Sequence, residues 1–190
     1  MNLIKFLLLL LLIFSKTHEV FSQEEINSEE SSMKIEKENK IERPHYFALL
    51  SGQTYVFNSI DINGKTQGKI IPSVGFDYVY LFNEKFALGT TIDFELDKYI
   101  IKTSINDILE RENAFLLSVV GYLELKKGIT FFTGPGYEFE KNKNFWVAKF
   151  GFEFMKYFDS DKWRAGFNIC GDLKEENSTI TFALSIARNI

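Results

Sequence analysis

The acids and bases of this chain form a pattern before any fold is assigned. Asp77, Asp93, Glu95, Glu138, Lys149, Glu153, Arg164 and Asp172 each lie in an alternating run, on the face opposite its large apolar residues. Carboxylates in excess of cations on one narrow face have two chemical uses. They form an internal network in which Lys149 and Arg164 neutralise nearby acids, since charges withdrawn from water need partners. Alternatively they line a narrow path that favours cations. Nucleophilic catalysis has less to build on. His45 is the sole histidine beyond the leader, and no close Ser–His pair supplies the base that a nucleophile needs. Cys170 is the single cysteine, so an intramolecular disulfide is excluded; its phase places it with the charged set, as a small packed residue. Gly134-Pro135-Gly136 lacks the Lys-Ser/Thr and helix of a phosphate loop, and reads as a local break in a strand. No cluster has metal-ligand spacing, and the residues imply neither a cofactor nor an enzyme.

The elements that position this charged face are strands. In 70–96, IIPSVGFDYVYLFNEKFALGTTIDFEL, two strands meet at a turn on Asn83-Glu84. Phe86, Leu88, Ile92, Phe94 and Leu96 point one way, and Ala87, Gly89, Thr91, Asp93 and Glu95 the other. The alternation recurs. Trp146, Phe150, Phe152 and Phe154 oppose Lys149, Gly151 and Glu153; Trp163, Phe167 and Ile169 oppose Arg164, Asn168 and Asp172; Ile180, Phe182, Leu184 and Ile186 oppose Thr179, Thr181 and Ser185. Eight runs are expected, at 45–57, 70–82, 85–97, 114–125, 128–140, 144–158, 162–173 and 178–190, the first and fourth with apolar residues on both faces. The links at 83–84, 126–127 and 159–161 are very short, while those at 58–69 and 98–113 are long. An apolar face toward lipid, a polar face toward a lumen and short turns at one end predict an all-β, eight-stranded antiparallel up-and-down transmembrane barrel. Lys156 and Arg188 then fall on the lipid face near the short-turn end, where long cations reach headgroups. Tyr80, Phe82, Phe86, Phe158 and Trp163 form an aromatic girdle at that level.

The chain has 190 residues, with 20 Phe and 8 Tyr against 3 Pro, which suits a sheet protein with large apolar surfaces. Its net charge of −4 argues against nucleic-acid binding through an overall basic surface. Residues 1–22 read as a cleaved signal peptide: a Lys, a Leu-rich run too short to span a bilayer, then Val20 and Ser22 at the positions a signal peptidase recognises. Residues 23–43 are charged and without aromatics, and are expected to stay flexible. The barrel is assigned to 44–190. Within it the stretch DKYIIKTSINDILEREN is the candidate interaction loop. Ile100, Ile101, Ile105, Ile108 and Leu109 are unusually apolar for an exposed loop, and close over the barrel mouth or meet a partner. Ser104-Ile105-Asn106-Asp107 predicts the start of a short helix there.

The stretches IPSVGFDYVYLFNEKFALGTTIDFEL and FFTGPGYEFEKNKNFWVAKFGFEF resemble the small eight-stranded outer-membrane barrels of Gram-negative bacteria, the OmpA/OmpX-like class. The last strand looks like the signal read by the barrel-insertion machinery, although such signals commonly finish in Phe rather than Ile190. The resemblance implies an outer-membrane location, surrounding lipid and the insertion machinery as partners, a monomer or weak associate, and no catalytic residues. The expected role is structural or surface interaction. The alternatives are a narrow cation-favouring pore, and a secreted soluble lipocalin-like barrel that binds an apolar small molecule with its Phe-rich face turned inward.

Overall fold

A computed structural model describes residues 43–190 except 62, 104, 106, 160 and 161. The expected signal peptide and nearly all of the charged segment lie outside the described residues. Ten strands follow in chain order: β1 (His45–Val56), β2 (Lys69–Leu81), β3 (Phe86–Glu95), β4 (Lys98–Lys102), β5 (Ile108–Glu112), β6 (Phe115–Lys126), β7 (Ile129–Phe139), β8 (Phe145–Phe158), β9 (Trp163–Lys174) and β10 (Thr179–Asn189). Eight of them close an antiparallel barrel in the order β1-β10-β9-β8-β7-β6-β3-β2, and β4 and β5 form a separate two-stranded sheet. The barrel strands agree with the eight expected runs to within two residues at each end. The seam pairs β1 with β10 from Tyr46–Asn189 to Val56–Thr179.

The register turns the charged face inward. Asp77, Glu95, Glu138, Lys149, Glu153, Arg164 and Asp172 are buried, whereas Phe86, Leu88, Phe94, Phe150, Phe152, Phe167, Phe182, Leu184 and Ile186 are exposed. An eight-stranded barrel is just wide enough for its side chains to fill it. On β8 the outward face runs from Trp146 to Phe158, 12 residues apart. At ~3.3 Å per residue that is roughly 40 Å along the strand, or roughly 30 Å of height at a ~40° tilt, close to the thickness of a hydrocarbon core.

The two runs with mixed faces acquire a physical reason. Tyr46 and Ala48 of β1 and Val120 and Tyr122 of β6 turn inward and pack with Phe132 and Met155 as an apolar plug in the lower lumen. Val56 of β1 joins Ile71, Tyr99 and Ile101 in a second plug at the loop end. Apolar residues on both faces therefore mark where the lumen is stoppered. Pro135 interrupts the ladder as expected: β7 pairs with β6 at Gly136–Ser118 and Thr133–Gly121 but not between them, while its pairing with β8 runs on through Pro135–Ala148. A Cβ on Gly134 would collide with the Val119 carbonyl, so this close approach requires glycine.

The expected helix in the 98–113 stretch is replaced. β4 and β5 pair from Lys98–Glu112 to Lys102–Ile108 as a hairpin. Ser104 and Asn106 lie outside the described residues, and Ile105 is in a turn. The Thr103 Oγ1 accepts the Asp107 N–H at 3.1 Å. A hairpin wins over a one-turn helix because strand pairing satisfies the backbone and sends alternate side chains, Tyr99 and Ile101, into the barrel mouth.

Candidate functional site

The charged face is organised in three tiers along the lumen. The middle tier centres on Lys149, placed by β8 opposite Asp172 of β9. Its Nζ lies 3.1 Å from Asp172 and 3.2 Å from Asp93, with the Cys170 Sγ at 3.8 Å. A cavity of about 20 Å³ lies beside it, lined by Asp77, Asp93, Thr91, Lys149, Asn168 and Cys170 among others. That is room for about one water molecule, and the lining is polar enough to hold it.

The upper tier joins barrel to hairpin. Lys174 Nζ is 3.2 Å from Glu95 and also meets Glu138. Arg111 of β5 donates to Glu138 and, at 2.5 Å, to the Lys143 carbonyl, with Glu140 at 3.6 Å; its guanidinium carbon lies 4.6 Å from the centre of the Phe145 ring. Tyr99 on the paired strand donates to Glu95 at 2.6 Å. In the lower tier Asn168 donates to Glu153 at 3.2 Å. Arg164 makes no close ion pair among the described residues, but it lies within electrostatic reach of Glu153 and hydrogen-bonds to Tyr157. It lies on the Tyr46 ring, 3.3 Å from its centre, and its Nε and one terminal nitrogen have no hydrogen-bond partner. Lys149 thus makes close ion pairs with two acids, whereas Arg164 faces Glu153 at longer range and packs on the Tyr46 ring.

Arg111 and Lys174 are the functional residues that sequence reasoning missed. Lys174 follows Asp172 by two positions and shares its phase, so the signal was present one residue beyond the expected strand end. Arg111 carried no signal, because its inward direction depends on the hairpin. With both counted, the lumen acids Asp77, Asp93, Glu95, Glu138, Glu153 and Asp172 face Lys149, Arg164, Arg111 and Lys174, and much of the apparent acidic excess is gone.

The loop-end residues divide. Ile101 is fully buried over the mouth with Leu109 packed beside it, Ile100 is half-buried, and Ile105 and Ile108 are 74% and 70% exposed. The hairpin is tied down on several sides. Ile60 N–H donates to the Ile100 carbonyl at 2.9 Å, Asn142 Nδ2 to the Glu110 carbonyl at 2.7 Å, and Lys69 pairs with Asp97 at 2.9 Å. The Lys69 ammonium and the Lys98 N–H hold the Asp97 carboxyl below its ordinary pKa. At the other end His45 sits on the outer wall, its Nδ1 2.8 Å from the Tyr78 hydroxyl and its ring stacked on Tyr78. It has no part in the lumen.

No family model and no curated protein matches the sequence. Solved structures do match the fold. The attachment invasion locus protein Ail of Yersinia pestis aligns with a TM-score of 0.51 at 10% identity, over 79% of this chain and 100% of that one. The N-terminal β-barrel domain of Pseudomonas aeruginosa OprF aligns with a TM-score of 0.51 at 12% identity, over 78% of this chain and 98% of that one. This chain has the fold of the small bacterial outer-membrane β-barrels.

Proposed function

We propose that the chain is an integral, non-enzymatic barrel of the bacterial outer membrane, with a filled lumen and a loop-end hairpin that serves as a contact surface. The observation that carries the reading is the inverted distribution of its side chains. Aromatic and aliphatic residues cover the outer wall over about the height of a hydrocarbon core, while lysine, arginine and carboxylates are buried within. A soluble lipocalin-like carrier needs the opposite arrangement. The lumen favours a structural role over conduction: Lys149 spans two acids at mid-height, the cavity beside it holds about one water, and apolar plugs lie below and above. Ile105 and Ile108 are the apolar groups offered at the hairpin tip.

Fractionation tests this reading. Recovery in the outer membrane after alkaline extraction, with gel mobility that shifts on boiling, is the expected result. Recovery as a soluble protein without lipid or detergent overturns it. A substitution sharpens the test. Leu184 is 73% exposed on β10, opposite Ser51 at mid-seam. Leu184→Arg is expected to destabilise a lipid-embedded barrel by roughly 2–4 kcal/mol, read as a lower urea midpoint in vesicles. In a barrel of this same register surrounded by water, where Leu184 meets solvent, the change is neutral.

A further inference from the structure

Side by side at the short-turn rim, the outer wall carries two cations, Lys156 and Arg188, that meet no carboxylate among the described residues. Lys156 of β8 pairs in register with Ala165 of β9, and Arg188 of β10 pairs with Trp163 of β9. The two side chains therefore flank β9 on the lipid-facing side, with the small Ala165 and the Trp163 ring between them. Each lies over an aromatic surface: Lys156 Nζ is 5.7 Å from the Phe158 ring centre, and the Arg188 guanidinium carbon is 5.3 Å from that of Trp163. No ion pair reaches either one among the described residues. At the opposite rim, by contrast, Lys69, Lys98 and Lys143 each meet an acid of the chain. Two strand spacings and one outward step separate the Cα atoms by on the order of 12 Å, within which a lysine and an arginine can converge on one group.

We infer that Lys156, Arg188 and Trp163 form a binding site for the phosphate of an anionic phospholipid in the leaflet at the short-turn end. This rests on the proposal that the barrel spans a membrane. Charge selects the occupant: an anionic phosphodiester supplies the acceptors that both cations lack, whereas a zwitterionic headgroup brings its own cation. Depth selects it as well, because these residues stand at the level of the exposed aromatics Tyr80, Phe82 and Phe86, where headgroups meet the wall.

Trp163 reports on the site directly. The full chain carrying Trp146→Phe, which leaves Trp163 as the sole tryptophan, is refolded into phosphatidylcholine vesicles. A minor fraction of the lipid is chain-brominated, as either phosphatidylglycerol or phosphatidylcholine, to quench nearby indole. The expected result is an enrichment of the anionic lipid beside Trp163 on the order of tenfold, weakened by salt. It should be lost in Lys156→Gln/Arg188→Gln and kept in Lys156→Arg/Arg188→Lys. Equal quenching by the two lipids overturns the inference, as does an enrichment that survives the double glutamine variant. Where the double glutamine variant fails to fold, Lys156→Gln and Arg188→Gln singly take its place, each expected to lose part of the enrichment, and an enrichment unchanged in both overturns the inference. Absence of quenching by either lipid, together with absence of the heat-shifted mobility, marks the distinct failure of the membrane reading itself.

Discussion

Replacing Lys149 with methionine is expected to lower the stability of the folded barrel by about 3–5 kcal/mol, the cost of breaking a buried charge cluster from one side. Methionine keeps much of the side-chain length, so packing is largely preserved and the lost term is the ammonium. That ammonium is the only cation within ion-pair distance of both Asp93 and Asp172 among the described residues, with Asp77 facing the same cavity. Asp93 retains 26% side-chain exposure against 7% for Asp172, so water entering the cavity relieves part of the penalty and the lower half of the range is expected. A second variant separates charge from packing. Lys149→Met combined with Asp93→Asn and Asp172→Asn removes the ammonium together with the two carboxylates it pairs with and should recover part of the loss, because no ion-paired charge is then left stranded. Urea midpoints of the heat-shifted band in vesicles provide the measurement. A Lys149→Met barrel with an unchanged midpoint and a new conductance sinks the filled-lumen proposal in favour of a cation path.

How far the site could be read from sequence depends on which physical constraint was local. Period-two alternation is local, and a register slip by one residue would put Phe150 and Phe152 in the lumen and Lys149 in lipid. That penalty makes the inward direction of the acids and bases on β2, β3, β7, β8 and β9 legible residue by residue. It also located the outward cations Lys156 and Arg188. What could not be read was the partner of each charge. Arg164 and Lys149 look alike in a strand pattern, yet one rests on Tyr46 and the other binds two carboxylates, because strand order and stagger decide which side chains share a height.

The 98–113 stretch failed for a different reason. Ile100 and Ile101 are consecutive, so the apolar pattern fits neither period cleanly, and the Ser-Ile-Asn-Asp sequence gives a local signal for a helix start. The hairpin is selected by what lies beneath it. Tyr99 reaches Glu95, Arg111 reaches Glu138, and Ile101 covers Val56 and Ile71. The Arg111 and Ile101 contacts join residues far apart in the chain, so no local pattern encodes them. Tertiary pairing overrode a weak local preference, and it carried Arg111, the most buried cation of the site, into a position no sequence pattern marks.

That dependence leads to the second large effect. Arg111→Met is expected to loosen the loop-end cap by about 3 kcal/mol while leaving the barrel intact. Arg111 is fully buried and holds three groups at once: the Glu138 carboxylate, the Lys143 carbonyl and, more distantly, Glu140. Glu138 keeps Lys174 after the substitution, so the barrel retains a paired acid. The Lys143 carbonyl loses its charged donor, and the hairpin keeps the Asn142–Glu110 and Glu112–Glu140 hydrogen bonds as its ties to the β7–β8 connection. Because β4 and β5 form their own sheet, their opening breaks none of the barrel ladder. The measurement is trypsin cleavage of the refolded chain in vesicles at Lys98 and Lys102. A loss of this size raises the open fraction on the order of 100-fold, and cleavage should quicken accordingly with the heat-shifted mobility unchanged. An unaltered cleavage rate means that Arg111 does not hold the cap. Loss of the heat shift means that cap and barrel form one cooperative unit, which places the hairpin within the folding core rather than on it as an independent contact surface.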